Sequence, residues 1–191
     1  MSSNIADFRA KFKGGTRPNR FRVTGNIPGS GDISDQSFLV KAASMPAATM
    51  GEIVIPYRGR GLRIPGDRIF EPWTFTMLDD NPSLREKLIT WGDKINSHVE
   101  NLTKDPSQND DQVQWTVEMV EHMGTKADSP IRTVTLHNCW PLSISPIDLS
   151  MDVADSLSEF SCTLAYDFWT GSGAKGVEGE EDGGFDPGPM A

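Results

Sequence analysis

The chain has few of the residues on which disulfide-rich and metal-binding proteins depend. Its 191 residues contain two cysteines, Cys139 and Cys162, and three histidines. Two cysteines can form neither a disulfide framework nor a four-cysteine metal site, so we expect both to be buried as thiols. His137 and Cys139 lie two residues apart and could begin a metal site, but no second close pair accompanies them. The sequence therefore predicts no metal and no cofactor.

Catalytic motifs are missing as well. The sequence contains no Gly-x-Ser-x-Gly elbow, no Gly-x-x-x-x-Gly-Lys phosphate loop and no His-Glu-x-x-His metal motif. Catalysis needs a nucleophile or an acid–base pair beside a group that stabilises charge, and no such set is recognisable. The sequence predicts a protein that is not an enzyme.

Long apolar runs do not occur. No stretch approaches 18 consecutive apolar residues, and the first seven residues lack the apolar core of a secretory signal. We therefore expect no membrane anchoring and a chain that folds in a cytoplasm. The 18 glycines and 13 prolines favour a turn-rich protein built from strands.

Charge is distributed unevenly along the chain. The net charge of −9 argues against a general nucleic-acid binder. Residues 1–22 carry six basic side chains against one acid, whereas residues 171–191 carry five acids against one lysine. No lysine or arginine lies between Arg132 and Lys175, a gap that includes Asp148, Asp152, Asp155 and Glu159. Composition alone explains this gap as a solvated acidic face that keeps the protein soluble, and it leaves a functional role for the carboxylates open.

Alternating apolar residues predict most of the strands. We expect the first two strands to form a hairpin with a Gly-rich tip. Pro146 predicts an edge or bulged segment after Trp140-Pro141. In the last strand we expect Phe160, Tyr166 and Phe168 to share one buried face. The predicted strands are 19–25, 37–43, 50–57, 72–78, 112–119, 131–139 and 157–168.

One long helix is predicted, after a start signal at 79–83. Apolar residues then recur every three or four positions on one face of a helix of about 18 residues. The helix ends before Asp105-Pro106. The residues of this apolar face are Leu84, Leu88, Trp91, Ile95 and Val99.

The termini differ from the body of the chain. Residues 1–16 indicate a short N-terminal arm with Phe8 and Phe12 at helical spacing. Residues 17–170 form the predicted β domain. Residues 171–191 are rich in Gly, Glu, Asp and Pro, so we expect an acidic, disordered tail.

An arginine-rich connection lies between two predicted strands. Residues 58–68 contain four arginines, and a loop or hairpin tip of this length is rarely only a connector. The four are Arg58, Arg60, Arg63 and Arg68.

Seven residue strings, in this order, resemble the tail tube protein of contractile-tailed bacteriophages. The resemblance covers about residues 17–170 and does not extend to the Gly-rich tip at 25–32 or to the acidic tail. The strings are Arg17-Pro18-Asn19-Arg20-Phe21, Lys41-Ala42 with Met45-Pro46-Ala47, Ile55-Pro56, Gly66-Asp67-Arg68 with Phe70 and Trp73-Thr74, the helix with Trp91, Trp140-Pro141, and Glu159-Phe160 with 163–169.

The resemblance implies a mainly β subunit of two packed antiparallel sheets, a β-sandwich or half-barrel, with one flanking α-helix. It further implies homo-hexameric rings that stack helically into a hollow tube for DNA, without specific DNA binding. Tail sheath protein would lie outside the tube, with baseplate and tail terminator proteins at its ends. The protein would then be a virion component assembled in the host cytoplasm.

Two sites follow from this resemblance as hypotheses. Arg58, Arg60, Arg63 and Arg68 would make ring-to-ring contact, because guanidinium groups suit carboxylates on a partner surface. Asp148, Asp152, Asp155 and Glu159 would face the lumen, because acidic walls repel a passing phosphate backbone.

Two alternatives remain open. The chain could be the inner tube protein of a bacterial contractile injection or secretion apparatus, which shares the fold and differs in cargo. It could also be a soluble β-sandwich binding module, which predicts a stable monomer where the tube predicts concentration-dependent rings.

Overall fold

The computed structural model describes residues 5, 8, 11–12, 16–80, 84–103, 113–121, 129–152 and 155–171. These residues form ten strands, a 3-10 helix at Ser34–Leu39 and the α-helix α1 at Leu84–Ile95, so the predicted mainly β class with one helix is confirmed. The predicted arm and acidic tail lie mostly outside the described residues. The strands are β1 (Phe21–Ile27), β2 (Gly31–Asp32), β3 (Val40–Ala43), β4 (Thr49–Tyr57), β5 (Arg60–Ile69), β6 (Trp73–Leu78), β7 (Val113–Val120), β8 (Pro130–Ile144), β9 (Glu159–Ala165) and β10 (Phe168–Gly171).

Seven of the ten described strands form two antiparallel layers that share β8, and β2 pairs with the end of β1. The first layer consists of β1, β7, the first half of β8 and β10. The second consists of the second half of β8, β9, β6 and β3. The register of β8 with β9 shifts between Pro141 and Ser143, at the start of the segment that the sequence predicts to be an edge or bulged. The 15-residue β8 therefore carries the hydrogen-bonded path from one layer into the other.

Aromatic side chains fill the space between the layers. The ring of Phe75 in β6 lies 5.2 Å from that of Trp115 in β7, so the two layers face each other directly. Trp91 of α1 stacks on Trp115 at 6.4 Å with the rings parallel within 2°. All three side chains are buried, so residues of this chain alone cover the core between the layers and α1.

Helix α1 is shorter than the sequence predicts. Leu84, Leu88 and Trp91 are buried as expected, but the helix ends at Ile95 and Val99 is exposed. The Asp93 carboxylate accepts a hydrogen bond from the His98 backbone N–H at 2.6 Å. Hydrogen bonds within the turn that follows α1 thus replace the helical ones, which the apolar spacing alone cannot reveal.

The predicted hairpin of residues 19–25 with residues 37–43 is wrong, because the end of β1 pairs with the short strand β2 instead. Ser37–Leu39 belongs to the 3-10 helix, because Asp32 accepts a hydrogen bond from the Ser34 N–H and Ile33 is buried, which turns the chain. Strand β1 then pairs with β7, and β3 pairs with β6 in the other layer.

The last predicted strand is interrupted. The Asn138 side chain donates to Asp167 at 2.7 Å, and Asn138 has a positive φ of 57°. The register of β7 with β8 shifts at this point, and residues 166–167 interrupt the strand between β9 and β10. Phe168 is 43% exposed and stacks on His137. The prediction that Phe168 shares the buried face of Phe160 and Tyr166 is therefore wrong.

Both cysteines are buried free thiols, as the sequence predicts. Burial disfavours the thiolate and raises the pKa of Cys139 and of Cys162 to about 12. In the part of the chain that the structure describes, no group of three or more His, Cys, Asp or Glu residues could hold a metal. No helix in these residues is long and apolar enough to cross a membrane.

Candidate assembly surfaces

Strands β4 and β5 form a hairpin that stands apart from the two layers. They pair with each other and with no other strand of the described structure. The turn is Arg58-Gly59 with φ of 47° and 81°, the two positive values of a type I′ turn. The prediction of a loop tip over 58–68 is therefore corrected, since most of this segment is strand β5.

The hairpin has one apolar face, which we call its first face. Residues opposite each other on antiparallel strands point to the same side. Ile53 lies opposite Ile64, and Ile55 lies opposite Leu62. Tyr57 continues this face toward the turn. These five side chains are between 39% and 65% exposed. The loop predicted over 58–68 does not include this face, although Leu62 and Ile64 alternate with charged and proline residues.

The four candidate arginines are exposed and are divided between the tip and the two faces. Arg60 lies opposite Tyr57 on the first face, while Arg63 and Arg68 lie opposite Val54 and Met50 on the second. Arg63 Nε is 3.1 Å from Glu52 Oε1. In the turn, the Arg58 guanidinium carbon lies 5.4 Å from the centre of the Tyr57 ring.

Two indoles hold the segment that enters the hairpin. The Trp73 Nε1–H donates to the Ser44 carbonyl at 2.6 Å, and the Trp169 Nε1–H donates to the Ala47 carbonyl at 3.2 Å. The linker at 44–48 is thereby fixed to both layers. This anchoring sets where the hairpin leaves the domain.

Three of the four candidate acidic residues lie in the connection between β8 and β9, residues 145–158, which we call the acidic segment. Asp148, Asp152 and Asp155 are exposed, and none forms an ion pair with a described residue. Leu149 and Met151 of the same segment are almost completely exposed. The segment thus combines carboxylates with large uncovered apolar side chains.

Glu159 differs from the other three carboxylates. It begins β9 and forms an ion pair with Lys41 of β3. No lysine or arginine is close to Glu159 in the sequence, and the fold brings Lys41 to it from 118 positions away.

The hairpin and the acidic segment lie at opposite ends of one strand pair. The hairpin leads into the start of β6, where Trp73 pairs with Leu164. The acidic segment leads into the start of β9, where Glu159 pairs with Leu78 at the other end of β6. A six-residue strand spans about 17 Å, so the two surfaces lie at different ends of the domain.

Each layer also has free strand edges. Among the described residues, β3 pairs only with β6, and β10 pairs only with β8. Unpaired edges in soluble proteins are usually covered or paired with another chain. These edges are therefore candidate contacts between subunits.

Comparison with known proteins identifies the group to which this architecture belongs. Residues 15–172 match the family model of the phage tail tube protein. The tail tube protein of Serratia phage KSP90 is 31% identical over 173 residues, which cover 86% of this chain and 94% of that protein. The tail tube protein of Enterobacteria phage T4 is 24% identical over 169 residues, which cover 86% of this chain and 98% of that protein.

The fold is also found in a solved assembly of another kind. A chain of the sheath–tube complex of an extracellular contractile injection system superposes with a TM-score of 0.59 at 14% identity, covering 90% of this chain and 99% of that one. The antiparallel fold agrees with the match over residues 15–172. The chain therefore belongs to the phage tail tube protein family, and it is a structural component of the virion rather than an enzyme.

Proposed function

We propose that six copies of this chain form a ring and that the rings stack helically into a hollow tube through which phage DNA passes into the host. The observation that carries this proposal is the hairpin, whose first face exposes five large apolar side chains. A two-stranded hairpin alone is marginally stable in water, and an exposed apolar patch indicates a contact surface. Its contacts are expected on neighbouring copies.

The free edges support closure of the ring. An edge of one subunit can hydrogen-bond with an edge of the next, and six such unions would close a continuous inner barrel. The free edge of β3 and that of β10 are available for this pairing in the described structure.

The arginines of the hairpin support contact between rings. Arg58, Arg60, Arg63 and Arg68 are all exposed, so their guanidinium groups can reach carboxylates of another subunit. Arg63 is the least suited of the four, because Glu52 already pairs with it.

An acidic channel wall is the proposed role of the carboxylates between β8 and β9. Asp148, Asp152 and Asp155 suit this role because they are exposed and have no ion-pair partner among the described residues. Glu159 suits it less, since its charge is offset by Lys41. Repetition in a ring would multiply the field of each carboxylate and repel DNA phosphates.

The proposed partners are sheath protein around the tube and baseplate and terminator proteins at its ends. The similar fold in a sheath–tube complex supports this arrangement. The same similarity supports an alternative function, the inner tube of a bacterial contractile injection or secretion apparatus. A gene beside capsid and terminase genes favours the phage tail, and a gene among toxin and secretion genes favours the alternative.

Electron microscopy of the full chain tests the assembly. We expect negatively stained samples at high concentration to contain rings with sixfold symmetry and hollow tubes. Replacing Ile55 and Leu62 by serine on the first face should leave the far-ultraviolet circular dichroism spectrum unchanged and abolish the tubes. Val54→Ser on the second face is the matched control and should retain them. A monodisperse 21 kDa wild-type monomer at high concentration would overturn the proposal.

A further inference from the structure

We infer that the first face of the hairpin docks on the acidic segment of a second copy of this chain. The inference rests on the proposed tube and names the receptor for its hairpin. It assigns Asp148 and Asp152 to a contact between subunits in place of the channel wall.

The two surfaces are complementary in charge. Residues 49–69 contain four arginines against Glu52 and Asp67, whereas residues 145–158 contain three aspartates and no basic residue. Arg58 and Arg60 lie at the tip and on the first face, where no carboxylate of the described residues pairs with them. Each surface therefore carries charges that its own subunit leaves unpaired.

The surfaces also match in apolar character. The first face exposes Ile53, Ile55 and Leu62, and the acidic segment exposes Leu149 and Met151. A channel wall in contact with water and DNA would leave these two side chains solvated at a cost. Docking would remove apolar surface from water on both copies, which stabilises association by about 25 cal/mol for each Å² buried.

The position of the two surfaces favours head-to-tail contact. They lie at opposite ends of the β6–β9 pair, so one copy can present its hairpin to a second copy while its own acidic segment receives a third. Such a heterologous contact can repeat from copy to copy, because each added copy leaves one hairpin or one acidic segment open at the end of the row. Strand β5 has ten residues and spans about 30 Å, and the hairpin pairs with no strand of either layer in the described structure.

A charge swap between two variants tests the pairing. The first variant carries Arg58→Glu and Arg60→Glu, and the second carries Asp148→Lys and Asp152→Lys. We expect neither to form tubes alone, because like charges meet at every hairpin contact. Mixed in equal amounts, each mutated hairpin meets a mutated segment and each native hairpin meets a native one. We therefore expect tubes in the mixture, seen by electron microscopy and by sedimentation.

The control is a third variant with the same charge change elsewhere, Glu86→Lys with Glu100→Lys, both on exposed positions outside the acidic segment. This variant keeps a native hairpin and a native acidic segment, so it should form tubes by itself. In a mixture with the first variant, sedimentation should leave the first variant in the supernatant.

The outcomes separate this inference from the proposed function. If the wild type forms no tubes, the proposed function fails. If the wild type forms tubes and the Asp148→Lys, Asp152→Lys variant alone forms them as well, the docking inference is overturned. That second result, with slowed DNA ejection from virions, would assign the two aspartates to the channel wall. Circular dichroism of both variants at low concentration verifies that they are folded.

Discussion

The two layers and the hairpin are built from the same kinds of residue, yet they bury them differently. Ile27 in β1 is 0% exposed, whereas Ile55 in β4 is 44% exposed. Both lie in antiparallel strands with apolar residues on one side. The difference is the topology, because β1 is covered by the opposite layer and β4 pairs only with β5. A strand pattern therefore shows which face is apolar, while the fold determines whether the same chain or another covers it.

This contrast separates stability from assembly. The aromatic core holds the two layers together within one subunit, so the free energy of unfolding depends on it. The hairpin adds little apolar burial to the single subunit, and in the proposed tube its side chains contribute where a second copy covers them. Substitutions in the two regions should therefore change different measurements.

The largest effect is expected from Phe75→Ala. This ring is buried between Trp73 and Trp115, so its removal leaves a cavity and should lower the free energy of unfolding by about 3–5 kcal/mol. Tyr57→Ala removes a large aromatic from the hairpin and should change the same quantity by less than about 0.5 kcal/mol. Urea unfolding at concentrations too low for assembly measures both. Similar losses would mean that the hairpin is part of the monomer's cooperative unit.

A smaller effect is expected where a methyl group enters the core. A Cβ at residue 25 would lie 2.4 Å from the Trp115 ring, which is fully buried and cannot easily move. Gly25→Ala should therefore cost about 1–3 kcal/mol. In the hairpin, a Cβ at residue 61 would meet only the exposed Val54 methyl at 3.1 Å. Gly61→Ala should then shift the thermal midpoint very little, and an equal shift for both variants would contradict the comparison.

The buried thiols make the stability of the layers sensitive to alkaline pH. The pKa of Cys139 and of Cys162 is about 12 in the fold and about 8.5 in an unfolded chain. Below the unfolded value both states keep the protons, so stability is unaffected there. Above it, only the unfolded state loses them, and stability should fall by about 1.4 kcal/mol per pH unit for each thiol.

Urea midpoints at pH 8 and pH 10 measure this effect. The control is the variant with alanine at both positions. It should be less stable than the wild type at each pH, but its free energy of unfolding should fall less between pH 8 and pH 10. Equal losses in the wild type and the variant would show that the thiols do not titrate differently on unfolding.

The sequence predicts local structure better than it predicts the partners of each element. The strand around Trp73 and Phe75 was predicted because it alternates over several residues, and the thiols were expected to be buried because cysteine packs as a small apolar residue. The pairing of β1 with β7 was missed, since no local pattern encodes which distant strand is adjacent. Phe168 was misplaced for the same reason, as its exposure depends on a bulge at Asn138 in another strand.

In the candidate assembly surfaces too, the sequence predicts local features better than contacts between distant residues. The sequence identifies the four arginines and the acidic gap as unusual, because charge can be counted without a fold. It cannot show that Glu159 pairs with Lys41, since that contact joins β3 to β9 across β6. It also cannot show that Arg60 and Arg63 lie on different faces, which depends on the register of the hairpin.

The smallest effect concerns two exposed ion pairs, one in each region. Lys41 pairs with Glu159 in the second layer, and Arg63 pairs with Glu52 in the hairpin. All four side chains are largely solvated, so each pair should contribute less than about 1 kcal/mol, and less still at high salt. Double-mutant cycles with alanine, measured by urea unfolding of the monomer, give the two coupling energies. We expect the smaller value for Arg63–Glu52, because the arginine is 77% exposed and its hairpin lacks support from the layers. A larger coupling in the hairpin than in the layer would mean that the isolated monomer already orders the hairpin, and the division between stability and assembly would then no longer hold.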